Sequence, residues 1–466
     1  MARPARAVLR RSLATLSGAA VAAVALAALT TAGDPHDRTA RAEPASAATT
    51  ANPVTPGDFT GHGFDQCLAP DQEKMDAWLQ SSPFLAVGIY ISGDSRACRQ
   101  QPNLTPEWVH TQLARGWRLL PVTLGPQASC QPRFPRYGDD ETIIPKPGTD
   151  GRYTRAREQG WAEAEKTAAV ASALGIVGGS TLWYDLEGFD LNNTRCRESA
   201  LAFLSAWTTK TRSLGYVSGV YSSAGSGIKM LDDVRARKHR GIALPDMIWV
   251  ARWDGRANVE TSYLRSDGWR GARVKQYQGG HDERWGGVTI NIDRNYLDVG
   301  LGSVAEPESH CGGVRLAFGS YPAIEPGAGA EAPPRRRVKA LQCLLQEQGL
   351  YAGRLDGVYR HVLRAGNAFQ EDRGFPVSER WTRPNWISLL TAGTRPVLKF
   401  GSAGPEVRRV QRALNAVVDR ESPLRATGVF NNPTTDAVRE WQRTVGLDGT
   451  GVVGRAAWKA FAAGRR

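Results

Sequence analysis

The stretch Thr181-Leu182-Trp183-Tyr184-Asp185-Leu186-Glu187-Gly188 decides the fold that we expect for this chain. Its apolar residues predict a buried strand, and the strand ends in two acidic residues. Because side chains two apart on a strand point the same way, Asp185 and Glu187 should lie together. Acids at the carboxyl end of a strand are typical of the active-site mouth of a parallel barrel.

Seven similar apolar runs accompany this strand, and stretches that can hold helices separate the first six runs. The eight runs are residues 61–65, 84–91, 117–124, 181–185, 216–221, 247–250, 273–277 and 289–293. This alternation predicts an α/β fold with a parallel sheet, and eight repeats predict a barrel. The last connection is too short for a crossover helix. We therefore expect residues 61–302 to form a TIM-like barrel of five βα units and three closing strands.

Acids at two other strand ends extend the predicted site. Asp65 ends the first run and Asp293 ends the eighth, and these strands are neighbours in a closed barrel. Close carboxylates cannot all ionise freely, so one pKa rises and that group can serve as a general acid. Glycosidic bond cleavage needs such an acid and a second carboxylate. A calcium site of Asp185, Glu187 and Asp190 is disfavoured because the loop offers too few oxygen ligands.

Aromatic residues recur at the same level of the predicted barrel. Sugar rings stack their C–H faces on aromatic rings, so this lining suits a polysaccharide. The residues that we predict to bind substrate in this way are Tyr90, Trp183, Tyr221, Trp253 and Tyr277. The alternative is a structural role for the acids, which can cap loops or pair with Arg252 or Arg294.

The amino terminus has the order of a secretory signal. Four arginines within the first eleven residues precede an uncharged run, 12–33, and small residues such as Ala45-Ser46-Ala47 follow. Arg10-Arg11-Ser12-Leu13 resembles a twin-arginine signal, with Sec export as the alternative. We expect a cleaved signal peptide at 1–47 and a disordered linker at 48–60. An uncleaved membrane anchor is the alternative, since the run is just long enough to span.

The six cysteines of an exported chain predict three disulfides. Cys67, Cys98, Cys130 and Cys196 follow the first four predicted strands, so two disulfides should rigidify the mouth, with the pairing left open. Cys311 and Cys343 are expected to pair beyond the barrel. The absence of a Cys-x-x-Cys spacing disfavours a zinc ribbon.

An internal repeat follows a predicted linker at 303–320. Residues 338–342 match 407–411 at an offset of 69 residues, and Trp386 matches Trp458 at an offset of 72. The repeat predicts two copies of a small helical unit, at 321–393 and 394–466. We expect four recurring side chains to be core and capping residues: Gln342, Gln411, Trp441 and Trp458.

Basic charge is concentrated in this repeat region. Residues 332–466 contain 23 basic and 11 acidic residues, whereas residues 1–331 contain 36 and 35. Such a region attracts anionic polymers, and the attraction weakens as salt rises. Nucleic acid would use the same electrostatics, but it is disfavoured as the partner because the chain is expected to be exported and has no nucleic-acid motif. Residues 335–337, three consecutive arginines, are expected to be a solvated linker face.

The barrel resembles two related families. Glycoside hydrolase family 25 lysozymes carry acids at the same strand positions, which correspond here to Asp65, Asp185, Glu187 and Asp293. Residues 61–302 resemble still more closely the glycoside-hydrolase-like domain of unknown function in exported actinobacterial proteins. The stretches that carry this resemblance include Gly63-Phe64-Asp65-Gln66-Cys67 and Gln276-Tyr277.

This resemblance implies roles for the site residues. Glu187 would be the acid/base, and Asp185 would orient the substrate's N-acetyl group or stabilise an oxazolinium-like intermediate. Asp65 and Asp293 would position sugar hydroxyls or tune Glu187. Gln276 would join the aromatic residues in binding substrate. The resemblance implies no metal and no cofactor.

The repeats resemble peptidoglycan-binding modules. The second copy follows the family pattern closely, through Thr427-Gly428-Val429-Phe430 and Trp441-Gln442. The first copy departs from the pattern at Arg360-His361-Val362-Leu363, where the family has Gly and Thr. The resemblance therefore implies wall binding most directly for residues 394–466.

The leading hypothesis is a secreted, cell-wall-associated hydrolase of a Gram-positive organism, which cleaves peptidoglycan glycan strands as a muramidase does. Its partners would be peptidoglycan and anionic wall polymer, and it would be a monomer with no membrane span after signal cleavage. The alternative is a non-catalytic glycan-binding wall protein. A peptidoglycan amidase or peptidase is disfavoured because the seven histidines show no zinc-ligand spacing and the cysteines look paired.

Overall fold

Eight strands close into a barrel in the computed structural model, which describes residues 51–327 and 332–466. The strands follow one another round the barrel in chain order. They are β1 (Phe59–Asp65), β2 (Phe84–Ser92), β3 (Arg118–Thr123), β4 (Thr181–Leu186), β5 (Val217–Ser223), β6 (Met247–Ala251), β7 (Ala272–Trp285) and β8 (Val288–Val299). The signal peptide predicted at 1–47 lies outside the described residues.

Five helices connect the first six strands and cover the outside of the barrel. They are α1 (Gln72–Ser81), α2 (Pro106–Ala114), α3 (Thr154–Ala173), α4 (Thr194–Ser213) and α5 (Lys229–Ala236). Neighbouring strands from β1 to β7 pair in parallel, whereas β8 runs antiparallel to both β7 and β1. The predicted fold of five βα units and three closing strands is confirmed.

The alternation of side chains along β4 places its residues on two sides of the sheet. Trp183 points into the barrel, where its ring meets that of Trp249 edge to face at 5.6 Å. Tyr184 points outward and packs on Phe203 and Trp207 of α4. Asp185 shares the inward side with Trp183 and lies one layer nearer the carboxyl end.

The hairpin between β7 and β8 is longer than the sequence predicts. The eleven residues expected to connect the two strands continue both of them, and the chain turns at Gly286 and Gly287. Both glycines have positive φ, which other residues adopt only with strain. The expectation that this connection holds no helix is correct.

The described part of the predicted linker at 48–60 is folded, which corrects the prediction of disorder. Thr55 is buried at the amino end of the barrel, where its hydroxyl donates to the Leu119 carbonyl at 2.8 Å. Its carbonyl accepts from the Thr181 amide at 2.9 Å. Backbone and hydroxyl hydrogen bonds order this segment. The lack of large apolar residues therefore did not indicate disorder.

Six helices form the carboxyl-terminal region, three in each copy of the repeat. They are α6 (Arg335–Glu347), α7 (Leu363–Asp372), α8 (Arg383–Leu390), α9 (Pro405–Val417), α10 (Asn432–Thr444) and α11 (Arg455–Ala462). No helix in the described ranges has the length and the apolar character that a bilayer span requires.

An equivalent glutamine makes the same hydrogen bond inside each copy of the repeat. The side-chain oxygen of Gln342 accepts from the Gly357 amide at 2.9 Å, and that of Gln411 accepts from the Gly428 amide at 3.0 Å. The indole nitrogens of Trp386 and Trp458 likewise donate to prolyl carbonyls 62 to 64 residues earlier. These side chains are buried within the copies, as the sequence predicts for core and capping residues.

The predicted linker at 303–320 is also folded, which is a second correction. Leu316 and Phe318 are buried in the core of the helical region. The Cys311–Cys343 disulfide ties the segment to α6, as the sequence predicts. The side-chain amide of Asn415 on α9 donates to the Phe318 carbonyl at 3.2 Å, so the segment joins both copies.

The second copy docks on the amino end of the barrel through a buried lysine. Lys399 is 1% exposed, and its ammonium donates to the carbonyls of Trp78, Ser82 and Phe84 at 3.3, 2.8 and 3.1 Å. Burial lowers the pKa of Lys399 well below its ordinary value. Three acceptors match the three donors of an ammonium group, so this contact fixes the copy against the barrel.

Candidate active site

The pairing of β1 with β8 brings two acids together at the mouth of the barrel. Asp65 and Asp293 lie directly opposite each other in the antiparallel register. The side-chain amide of Gln276 on β7 donates to both oxygens of Asp65, at 3.2 and 3.3 Å, and to Asp293 at 3.1 Å. Asn295 donates to Asp65 at 2.6 Å. The closing strands therefore hold these two carboxyl groups in fixed positions.

Gln276 also links the acids to two of the predicted aromatic residues. Its side-chain oxygen accepts from the Tyr221 hydroxyl at 3.0 Å and from the Trp253 indole nitrogen at 2.9 Å. Trp253 is 66% exposed, so its ring forms part of the outer rim. These contacts make Gln276 the residue that connects the rim with the deeper carboxyl groups.

The second pair of acids lies where β4 ends. Gln127 holds this turn, because its amide donates to the Asp185 carbonyl at 2.8 Å and accepts from the Glu187 backbone nitrogen at 2.9 Å. The Tyr90 hydroxyl donates to one Asp185 oxygen at 3.2 Å. Within the described part of the chain, the other Asp185 oxygen is buried without a hydrogen-bond partner.

Burial raises the pKa of all four acids, and repulsion from neighbouring acids adds to the rise for Asp65, Asp185 and Asp293. Burial and the charge of Asp293 raise the pKa of Asp65 to about 8, and burial raises that of Asp293 to about 6. Burial and Glu187 raise the pKa of Asp185 well above its ordinary value. Burial also raises the pKa of Glu187, against the opposing charges of Arg133 and Arg136. The group therefore holds protons at neutral pH, as general acid catalysis requires.

A cavity of about 150 Å³ opens onto three of these acids. Its lining includes Asp65, Tyr90, Glu187 and Asp293, and also Arg96 and Arg136. Sequence reasoning missed both arginines, because loop arginines carry no periodic signal in an arginine-rich chain.

Two disulfides tie the loops around this mouth. They join Cys67 to Cys98 and Cys130 to Cys196, which settles the pairing that the sequence left open. Cys67 and Cys98 themselves line the cavity. Arg99, next to Cys98, pairs with Asp139 and Asp140 in the loop that carries Arg136. The loops that present the two cavity arginines are therefore cross-linked.

Of the six predicted substrate-binding residues, Tyr90 lines the cavity, Tyr221, Trp253 and Gln276 lie outside its lining, and Trp183 and Tyr277 are buried. Trp183 is fully buried beneath Asp185 in the barrel core, where no sugar ring can contact it. Tyr277 is also buried, and the charges that act on its hydroxyl are those of Arg294 and Glu283. Both corrections have one reason. The sequence predicted how far along the barrel axis these residues lie, but it did not predict that their side chains are buried away from the mouth.

The arginines proposed as structural partners of the acids are engaged elsewhere. Arg294 pairs with Glu283, and the guanidinium of Arg252 lies 5.4 Å from the centre of the Tyr263 ring. Among the described residues, one group of three has ligand atoms close enough to share a metal ion: Cys311, Cys343 and Glu347. A disulfide joins the two sulfurs of that group.

Comparison with known proteins identifies both parts of the chain. The Rv2525c-like, glycoside hydrolase-like domain family matches residues 76–297, and a peptidoglycan-binding domain family matches residues 403–461. No curated protein sequence matches the chain.

Several solved structures are similar to about half of the chain at low sequence identity. The Tat-secreted protein Rv2525c of Mycobacterium tuberculosis, in complex with L-tartrate, is 12% identical, with 51% of this chain and 94% of that one covered and a TM-score of 0.33. An uncharacterized protein of B. stearothermophilus is 17% identical, with 51% and 95% covered and a TM-score of 0.34. A family 25 glycosyl hydrolase of Bacillus anthracis is 13% identical, with 54% and 94% covered and a TM-score of 0.29.

The family matches, rather than these structures, identify the domains. The chain contains an Rv2525c-like glycoside hydrolase-like domain, followed by a peptidoglycan-binding domain.

Proposed function

We propose that this protein is a secreted, wall-associated hydrolase that cleaves peptidoglycan glycan strands as a muramidase does. One observation carries the proposal: four acids with raised pKa values cluster at the carboxyl end of the barrel, and three of them, Asp65, Glu187 and Asp293, line a single cavity. Placing like charges together costs stability, so a purely structural site would not favour this arrangement.

Glu187 is the general acid and base in this proposal. It lines the cavity and is half-buried, so a glycosidic oxygen can reach it. Its raised pKa keeps a proton available, which it donates to the leaving oxygen as the bond to the anomeric carbon breaks. It then takes a proton from the attacking water, which returns the site to its starting state.

Asp185 assists at the anomeric carbon. In this proposal its buried oxygen, which has no partner among the described residues, accepts a hydrogen bond from the N-acetyl group of the substrate. That contact turns the acetamide oxygen towards the anomeric carbon, where it forms an oxazolinium-like intermediate. Asp65 and Asp293, held by Gln276, position sugar hydroxyls or tune Glu187.

The carboxyl-terminal region holds the enzyme on its substrate. The matched peptidoglycan-binding domain supports peptidoglycan as the partner of residues 403–461. The equivalent glutamine and tryptophan contacts support the same assignment for residues 321–393. Three disulfides fit an oxidising location outside the cytoplasm, at the cell wall or beyond it.

One observation favours the second candidate, a glycan-binding protein without activity. The cavity of about 150 Å³ is smaller than the roughly 300 Å³ at which typical ligand sites begin. In that case the barrel would hold a single sugar residue at its mouth and cleave nothing.

The test is product analysis on purified peptidoglycan. The wild-type chain should release new reducing ends, and Glu187→Gln should lower the rate about 10³-fold, the range for loss of a general acid. Glu163→Gln is the matched control, because burial raises the pKa of this glutamate as well but Glu163 lies outside the cavity lining. That variant should retain activity.

Two outcomes would contradict the proposal. Wild-type protein that binds peptidoglycan but releases no reducing ends from any wall preparation would favour the glycan-binding candidate. Equal losses in Glu187→Gln and Glu163→Gln, with unchanged thermal unfolding, would mean that the cavity acid has no special role.

A further inference from the structure

An arginine-lined cavity lies where the two helical copies meet. Its volume is about 390 Å³, and it shares no lining residue with the carboxylate cavity. Four arginines line it: Arg315, Arg336, Arg337 and Arg420. The acid in the lining, Asp419, is paired with Arg383. The cavity therefore presents an excess of positive charge, and both copies contribute to it.

The guanidinium groups in this cavity are incompletely partnered. Within the described residues, the Nε atoms of Arg337 and Arg420 are buried without a hydrogen-bond partner. Arg420 pairs with Glu440 through another guanidinium nitrogen at 2.9 Å. Burial and the neighbouring charge of Arg336 lower the pKa of Arg337, although Asp419 opposes the shift. Buried donors without acceptors are costly, so the arrangement favours an anionic ligand.

The walls of the cavity are fixed before any ligand arrives. Asn415 of α9 donates to the carbonyls of Phe318 and Leu424 at 3.2 and 2.9 Å and accepts from the Leu424 amide at 2.9 Å. This one side chain joins the lead-in segment of the first copy to the loop after α9. Rigid walls lower the entropy cost of binding.

We infer that this cavity binds a phosphate group of an anionic wall polymer. Guanidinium forks match phosphate oxygens, and a phosphate offers acceptors to several arginines at once. Arg336 and Arg337 belong to the first turn of α6, whose Pro334 cap supplies no capping hydrogen bond, so the helix N-terminus adds to the attraction. The volume fits a polymer unit rather than a lone ion.

The cavity also revises the expectation for residues 335–337. The three arginines were predicted to be a solvated linker face, but Arg336 and Arg337 line the cavity and Arg337 is half-buried. The choice of a wall polymer as the source of phosphate rests on the proposed function, whereas the anion site itself does not.

The test is calorimetric binding of synthetic poly(glycerol phosphate) to the full chain at low and physiological salt. The double variant Arg336→Gln/Arg337→Gln should weaken binding at least tenfold. The control Arg360→Gln/Arg364→Gln removes the same charge from exposed positions of the first copy and should weaken it less than threefold. Arg315→Gln alters an exposed side chain that lines the cavity, so it should weaken binding while leaving thermal unfolding unchanged.

Three results would overturn the inference. Equal losses in the two double variants would mean attraction to overall charge only. Polyglutamate that binds as tightly as poly(glycerol phosphate) would exclude phosphate selectivity, and inorganic phosphate that binds as tightly would exclude the polymer. The measurement involves no bond cleavage, so a failure here is distinct from a failure of the proposed hydrolase activity.

Discussion

The two ends of the barrel bury charge in opposite ways. At the carboxyl end, four acids cluster and three of them line one cavity. Burial raises all four pKa values, and repulsion adds to the rise for Asp65, Asp185 and Asp293. At the amino end, Lys399 is as deeply buried, but three backbone carbonyls accept all three of its protons.

The difference distinguishes a buried charge with a structural role from buried charges with a chemical role. A buried charge whose hydrogen bonds are complete holds two surfaces together, as Lys399 holds the second helical copy on the barrel. Buried like charges that repel one another lower stability, and they are retained where their protonation has a use. The buried oxygen of Asp185 without a partner belongs to the second kind.

The largest effect that we expect at the carboxyl end is on catalysis. Asp185→Asn should lower the release of reducing ends from peptidoglycan about 10²-fold or more, because the N-acetyl group loses its orienting carboxyl group. Asp190→Asn, in the exposed loop that follows, is the matched control and should leave the rate unchanged. A rate for Asp185→Asn equal to that of the wild type would remove Asp185 from the mechanism.

At the amino end the largest expected effect is on stability. Lys399→Met keeps the apolar stem but leaves three carbonyls without a donor, so the free energy of unfolding should fall by about 3 kcal/mol in urea titration. Glu325→Met alters the corresponding position of the first copy, which is exposed, and should change it by less than about 0.5 kcal/mol. Similar losses in both variants would mean that Lys399 has no special structural role.

The crowded acids should make stability depend on pH in a defined direction. The pKa of Asp65 rises from 3.8 to about 8 on folding, so the native state keeps a proton that the unfolded chain releases above about pH 4. Stability should therefore fall as pH rises from about 4 to about 8. Asp65→Asn should reduce that fall and raise the free energy of unfolding at pH 7.5 by roughly 1–2 kcal/mol.

Urea titrations of the wild type and of Asp65→Asn at pH 4 and pH 7.5 measure this effect. The two proteins should differ less at pH 4, where Asp65 is protonated in the native state and already partly protonated in the unfolded chain. A difference that grows towards low pH would have the wrong sign and would contradict the raised pKa.

The smallest expected effect is at the outer rim. Trp253→Ala should weaken the binding of a chitin-type oligosaccharide about fivefold, because one exposed stacking ring contributes about 1 kcal/mol. Its thermal unfolding should not change, since the side chain is 66% exposed. An unchanged affinity would restrict the sugar contacts to the cavity itself.

The sequence was sufficient to predict what depends on periodicity. The eight strands, the five βα units and the facing pair Asp65 and Asp293 follow from alternation along the chain and from barrel closure. The repeat predicted two helical copies because matching residues recur at nearly constant offsets. Family resemblance added Gln276, whose contacts with both acids no spacing argument indicates.

What the sequence did not predict depends on contacts between distant segments. Thr55 and Phe318 lie in stretches with the composition of linkers, yet hydrogen bonds and packing with remote residues order both. Lys399 carries no signal of burial, because a lysine is ordinarily exposed. Trp183 was predicted to bind substrate, but it is buried in the barrel core. Alternation along a strand indicates that a side chain points into the barrel, and it does not indicate whether that side chain reaches the mouth.

Docking through Lys399 has a consequence for a molecule attached to the wall. The second copy covers the amino end of the barrel, and the acids open at the other end. The barrel then acts as a spacer of fixed height, roughly 20–30 Å for strands of this length. Under the proposed function, the glycan strand that the anchor holds is not the strand in the cavity, so the enzyme would cut a neighbouring layer of the wall.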